Sequence, residues 1–202
     1  MPRLTVNARQ CSYTTAGDGF PLLLTSGPVA PCAVWEPLMP LLGELCQTIA
    51  YAYCSPVSGT HTLLADDFIT ILDTLGFERA YLATAHSAIG MALHVALHAP
   101  ERLEGLVLIG TADAEALAND DKHRWHEIAL PILCIAGEPV ASSVHHADQI
   151  TARLPQSQQV IIPDTGEAPH HEQPRRTGHA MMHFLTQCER QRNLVRGASF
   201  LL

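Results

Sequence analysis

One serine stands out by its setting. Ser87 follows a β-like run, Arg79–Thr84, and comes directly before a small, apolar helical pattern, Ala88–His98. A strand, a serine in a tight turn and a helix of small residues form a setting in which a hydroxyl can act as a nucleophile. Such a hydroxyl is weak unless a base takes its proton, so the partners matter as much as the serine. Twelve histidines are many for this length, but they are scattered. Only His145-His146 and His170-His171 stand together, and adjacent histidines rarely converge on one ion, so no metal centre is expected from them. The six cysteines show no CxxC pair and lie mostly in apolar runs, which reads as free, buried thiols. No glycine-rich phosphate cradle is present, and no cofactor is implied.

The elements that must position Ser87 alternate between short β-like runs and longer helical patterns. This order predicts an α/β fold, with a mostly parallel central sheet flanked by helices. Residues 3–8 and 11–16 alternate as an opening hairpin, and Leu22–Thr25 is a buried strand. Val34–Leu45 has helical spacing, although Pro37 and Pro40 must fall in its first turn or break it. Thr48–Tyr53 is the next strand. Leu63–Leu75 reads as an amphipathic helix capped by Thr62 and stopped by Gly76. Leu106–Gly110 is apolar throughout, as a central parallel strand should be. Helices are expected over Ala114–Ile128, Ser143–Leu154 and Pro174–Cys188, with strands at Ile132–Ala136 and Gln159–Pro163. The last ten or so residues are expected to fray.

With 202 residues, 47% of them hydrophobic, the chain fits one buried core, so residues 1–202 are expected to form a single domain. A net charge of −8 excludes the clustered basic surface that nucleic acid requires. The start of the chain lacks the apolar core of a signal peptide, and no apolar run approaches the ~20 residues of a membrane helix. The expectation is a cytoplasmic protein with no membrane partner.

Three blocks carry a family resemblance: "RLTVNARQCSYTTAGDGFPLLLTSG", "LATAHSAIGMALHVALHAPERLEGLVLIGTA" and "LPILCIAGEP" with "VIIPDTGEAPHHEQP". In this order they resemble the α/β-hydrolase superfamily over residues 3–186. The resemblance implies that Ser87 is the nucleophile of an elbow, flanked by His86 and Ala88. Ile89 stands where that elbow wants a small residue and is expected to crowd it. The loop Thr25-Ser26-Gly27-Pro28 matches the family's oxyanion loop. The amides of Gly27 and Ala88 would then hold an oxyanion, with Ser26 and His86 beside them.

The rest of the catalytic set departs from the pattern. Valine (Val140) stands where the acid should follow Gly137-Glu138-Pro139. Asp113, one strand earlier, and Glu138 are the substitutes. The family histidine maps to Glu167 in Gly166-Glu167-Ala168-Pro169-His170-His171-Glu172, with His170 three residues on. A carboxylate titrates roughly two units below an imidazole, so Glu167 would need burial to serve as a base near neutrality. Only about twenty residues separate the strand ending at Gly110 from the one starting at Pro131, so the cap (about 112–129) is minimal and the site should be open. Val29, Val57, Ile89 and Val140 are expected near its mouth.

Three readings follow. The first is an enzyme acting on an ester, thioester or related carbonyl substrate, small or carrier-bound, through Ser87 with Glu167 or His170 as base. The second is a non-hydrolytic lyase, dehydratase or cyclase of a biosynthetic route using Glu167 as acid/base. The third is a non-catalytic relative that binds a ligand. Oligomeric state stays open, although a homodimer could cover apolar surface left by the reduced cap.

Overall fold

A computed structural model describes residues 1–27, 30–54, 61–110, 120–138, 148 and 150–199, without the side chains of 120 and 195–199. Eight strands form one sheet in the order β1-β2-β4-β3-β5-β6-β7-β8. β1 (Arg3–Val6) and β2 (Arg9–Ala16) make the opening hairpin. Asn7 and Ala8 turn it with left-handed φ values of 45° and 66°. β2 runs antiparallel to β4 (Cys46–Tyr53), and every later pairing is parallel. β3 (Phe20–Thr25), β5 (Ala80–Ala85), β6 (Leu103–Ile109), β7 (Ile132–Gly137) and β8 (Ser157–Ile162) complete the sheet. β5 and β7 are buried along their whole length, as strands covered on both faces must be.

The two faces have separate cores. On one, α2 (His61–Leu75) and α3 (Ile89–His98) pack with Trp125 and Ile128 against Leu23, Leu82 and Leu106. On the other, Trp35, Leu38 and Leu42 join Met181, Phe184 and Leu185 over Leu22, Leu24, Ala83 and Ile109. Phe77 closes α2 by donating its N–H to the Leu72 carbonyl at 2.9 Å, so the expected stop at Gly76 holds. Thr62 lies inside this helix rather than capping it.

The expected helix over 34–45 is instead a 3-10 turn, Cys32–Trp35, and one turn of helix, α1 (Met39–Leu42). Pro37 and Pro40 supply no N–H and their rings clash with a preceding turn, which breaks the pattern. Residues 120–127 form a 3-10 helix, Asp120–Glu127, rather than an α-helix; residues 114–119 of the expected helix lie outside the described residues, as do 143–147 and 149 of the expected helix Ser143–Leu154. After the short α4 (Pro169–Glu172), α5 runs Pro174–Ser199, eleven residues past the expected end at Cys188.

One buried carboxylate ties the hairpin to the body. Asp67 of α2 is fully buried and accepts from Arg9 Nη1 at 2.8 and 3.1 Å, Asn7 Nδ2 at 2.8 Å and Tyr53 Oη at 2.7 Å. All six cysteines are free thiols; Cys54 is exposed and the others are buried. Burial pushes the Cys134 thiol up to about 12, so it is inert. Among the described residues no helix is long and apolar enough to cross a membrane.

Candidate active site

The parallel register sets Thr25 beside Thr84 and Ala85 beside Ile109. The chain therefore leaves β3, β5 and β6 at one end of the sheet, where open α/β sheets place their sites. Between β5 and α3 it reverses in three residues. Ala85 is extended (φ −126°, ψ 149°), His86 is left-handed (φ 52°), and His86–Ala88 form a 3-10 turn that feeds α3. The left-handed residue is His86, one before Ser87.

His86 therefore occupies the strained apex of this strand–helix turn, one residue before the serine that the sequence marked. Thr84 and Ala88 then flank the apex symmetrically, two residues to either side. Ile89, the first residue of α3, is fully buried in the core, so it does not line a mouth. The amide that follows the apex is that of Ser87.

Ser87 is half-buried, and its hydroxyl donates to the Ser26 carbonyl across a long 3.4 Å. Gly27 (φ 97°) lies so close that a Cβ there would strike Ser87 Oγ. The end of β3 and the serine are thus in contact. The Gly27 N–H points back to Thr25 Oγ1 at 3.4 Å. Pro28 and Val29 lie outside the described residues.

His86 is flanked by two features. Gly110 (φ 82°) ends β6, and a Cβ added to it would lie 3.2 and 3.3 Å from His86 Cε1 and Nδ1. The same Cβ would strike the Glu167 carbonyl, so the loop after β8 crosses directly over this strand end. On its other side His86 faces His170, with ring centroids 5.8 Å apart and tilted by 55°. His170 is only 3% exposed and stacks on Trp35 at 4.8 Å. Burial, aided by nearby His86, lowers His170 to about 4, so its imidazole is neutral at physiological pH. His170 Nδ1, Trp35 Nε1 and Ser26 Oγ are buried with no hydrogen-bond partner among the described residues.

The loop that carries Glu167 is shaped by Glu172. Its carboxylate accepts from the amides of Gly166 (2.6 Å) and Ala168 (3.1 Å), which hold it below the usual carboxylate range. The Glu167 side chain itself is exposed and forms no hydrogen bond to Ser87 among the described residues. Glu138 is exposed at the end of β7. Asp113, Val57 and Val140 lie outside the described residues, as do residues 112–119 of the expected cap segment. The structure therefore brings Ser26, Gly27, His86, Ser87 and His170 together and leaves the Glu167 carboxylate outside. His86 as apex was legible in one signal, the symmetric small residues Thr84 and Ala88.

No family model matches the chain. It is 34% identical over 108 residues to 2-hydroxymuconate semialdehyde hydrolase of Pseudomonas sp. (strain CF600), a match covering 48% of this chain and 38% of that protein. Matches to curated relatives span between 38% and 49% of those proteins' lengths. Among solved structures, a thermophilic esterase from Thermogutta terrifontis superposes with a TM-score of 0.81 at 19% identity, covering 93% of this chain and 98% of that one. A meta-cleavage product hydrolase from Pseudomonas fluorescens IP01 gives the same TM-score, 0.81, and the same coverage, 93% and 98%, at 15% identity. These likenesses establish the α/β-hydrolase fold.

Proposed function

We propose that this member of the α/β-hydrolase superfamily hydrolyses a small ester, thioester or related carbonyl compound, with the His86 imidazole at the apex as proton-transfer group and Ser87 as oxyanion donor. The observation that carries this reading is the left-handed φ of 52° at His86. Holding a non-glycine residue there costs roughly 1–2 kcal/mol, and such strain clusters at functional sites. Histidine tolerates the region better than most residues, and its side chain suits proton transfer near neutral pH.

In this reading water lies against His86. The imidazole takes a proton as the water oxygen attacks the carbonyl carbon, and the carbonyl π electrons move onto oxygen. That oxyanion accepts from the Ser87 N–H and from the Ser87 hydroxyl, which gives up its long bond to Ser26. Collapse breaks the bond to the leaving alkoxide or thiolate, which takes the proton back from the imidazolium. His170, neutral and wedged on Trp35, positions the His86 ring. The names of the hydrolase and esterase relatives support the substrate class.

A second reading keeps Ser87 as nucleophile and rests on its half-buried hydroxyl beside Gly27. In that reading Glu167 or His170 supplies the base, with Asp113 as the acid. A fluorophosphonate probe and a panel of small esters separate the two. Our reading expects no mass increase on Ser87, a loss of ~10²–10⁴ in kcat/KM for His86→Ala, and little change for Glu167→Gln. Labelling of Ser87, with Ser87→Ala inactive and His86→Ala active, would establish the second instead. If wild type turns over none of the panel while Glu167→Gln abolishes a non-hydrolytic conversion, the acid/base reading at Glu167 replaces both. A chain that binds carbonyl ligands without converting them is the non-catalytic relative.

A further inference from the structure

α3 carries a second group of chemistry-bearing residues, separate from the elbow. His94 and His98 are four apart and so share one face of the helix, a turn apart. The 3-10 helix Asp120–Glu127 packs on α3 and brings Asp121 between them. His94 Nδ1 lies 3.0 Å from Asp121 Oδ2, and His98 Nε2 lies 3.2 Å from the same oxygen. The two rings are 4.3 Å apart, and one ligand-capable atom from each residue lies within 4.8 Å of the other two. The His94 and Asp121 side chains are 15% and 16% exposed, while His98 is 44% exposed and leaves the group open to solvent.

We propose that His94, His98 and Asp121 bind one divalent transition-metal ion of the zinc type, with water at the fourth position. Zinc takes nitrogen and oxygen ligands at roughly 2.0–2.2 Å, so neighbouring ligand atoms of a tetrahedral site lie about 3.3–3.5 Å apart. The separations of 3.0 and 3.2 Å are close to those edges before any adjustment. Two imidazoles and one carboxylate also match what zinc accepts and are poor partners for magnesium or calcium, which prefer oxygen. Without an ion, one carboxylate oxygen must take hydrogen bonds from two rings, each with a proton on the facing nitrogen. An ion replaces both protons and meets the carboxylate charge directly. Burial opposes that charge, yet the bonds from His94 and His98 outweigh it and hold Asp121 below the usual range.

The site is not the reaction centre. His94 and His98 are eight and twelve residues beyond His86, a rise of about 12–18 Å along a helical path. Its effect is mechanical: it clamps the 3-10 helix to α3, holding in place the turn that buries Trp125. Asp121 joins the two histidines only through the tertiary packing of the 3-10 helix on α3.

The test uses the whole chain stripped with a chelator and then titrated with Zn²⁺ against a chromophoric competitor. One ion per chain is expected, with a rise in melting temperature. His98→Gln, a change at a largely open position, and Asp121→Asn should each weaken binding at least ~10-fold. His179→Gln, at an exposed histidine on α5, should leave binding unchanged. Co²⁺ substitution supplies a readout that needs no variant, because a four-coordinate nitrogen/oxygen site gives intense visible bands. The proposal fails if wild type takes up no zinc at micromolar concentrations, if Co²⁺ shows only weak six-coordinate bands, or if both variants bind as wild type does.

Discussion

At His86 the backbone takes a φ of 52° with a full side chain in place. Glycine would adopt this angle without strain. His86→Gly should therefore match or exceed wild-type stability by up to about 1 kcal/mol while removing activity, read from urea midpoints and ester turnover on the same samples. A second residue-scale consequence concerns His170. Its folded pKa of about 4 lies below the ordinary imidazole value, so between these two pH values the unfolded chain binds a proton that the native chain refuses. Stability contributed by the neutral ring is present above about pH 6.5 and is lost as pH falls toward 4, by roughly 3 kcal/mol in all. Denaturant midpoints measured from pH 7.5 down to 4.5 should show this slope. His170→Phe, which keeps a ring against Trp35, should flatten it; an unchanged slope would assign the pH dependence to another group.

At the scale of elements, the site depends on two strand ends where other parts of the chain pass close by. Gly27 lies against Ser87, and Gly110 accommodates both the His86 ring and the Glu167 carbonyl. Gly110→Ala adds a Cβ at φ 82° and into that carbonyl. A cost of roughly 1–3 kcal/mol is expected from backbone strain alone. The loop after β8 must also shift, so activity should fall further than in a variant of equal stability elsewhere, which thermal melts and kcat/KM together would show. The loop's Glu167 contrasts with its anchoring Glu172. Glu172 accepts from two backbone amides from the turn of α4, whereas the Glu167 side chain is exposed.

For the whole molecule, Asp67 joins what would otherwise be a loosely attached edge. It links Asn7 and Arg9 of the hairpin, Tyr53 of β4 and its own helix α2. Asp67→Ala strands Arg9, which is 24% exposed, and leaves Tyr53 without its acceptor. The expected loss is about 3 kcal/mol, at the lower end for a broken buried pair because Arg9 still reaches water. Calorimetry should show it as a fall in Tm; an unchanged Tm would mean that the apolar contacts of β1 and β2 alone hold the edge.

Fold class was legible in the chain because it is written in local periodicity. Runs such as Leu106–Gly110 and helical patterns such as Leu63–Leu75 announce themselves within a few residues, and their alternation leaves few topologies. The site was only half legible. Ser26, Gly27, His86, Ser87 and His170 were all marked, through the family resemblance of the blocks that hold them. The residue at the apex was another matter, because a single φ value decides it and Ser87 looked the better chemist. Glu167 took the place of a base by alignment, and only the packed loop showed its carboxylate in solvent. Asp121 meets His94 and His98 across more than twenty residues of chain, a contact no local pattern encodes. The sequence by itself determined the elements and their order. Tertiary structure decided which residue bears the strain of the elbow and which polar groups meet, because those outcomes depend on burial and on backbone angles set by the whole sheet.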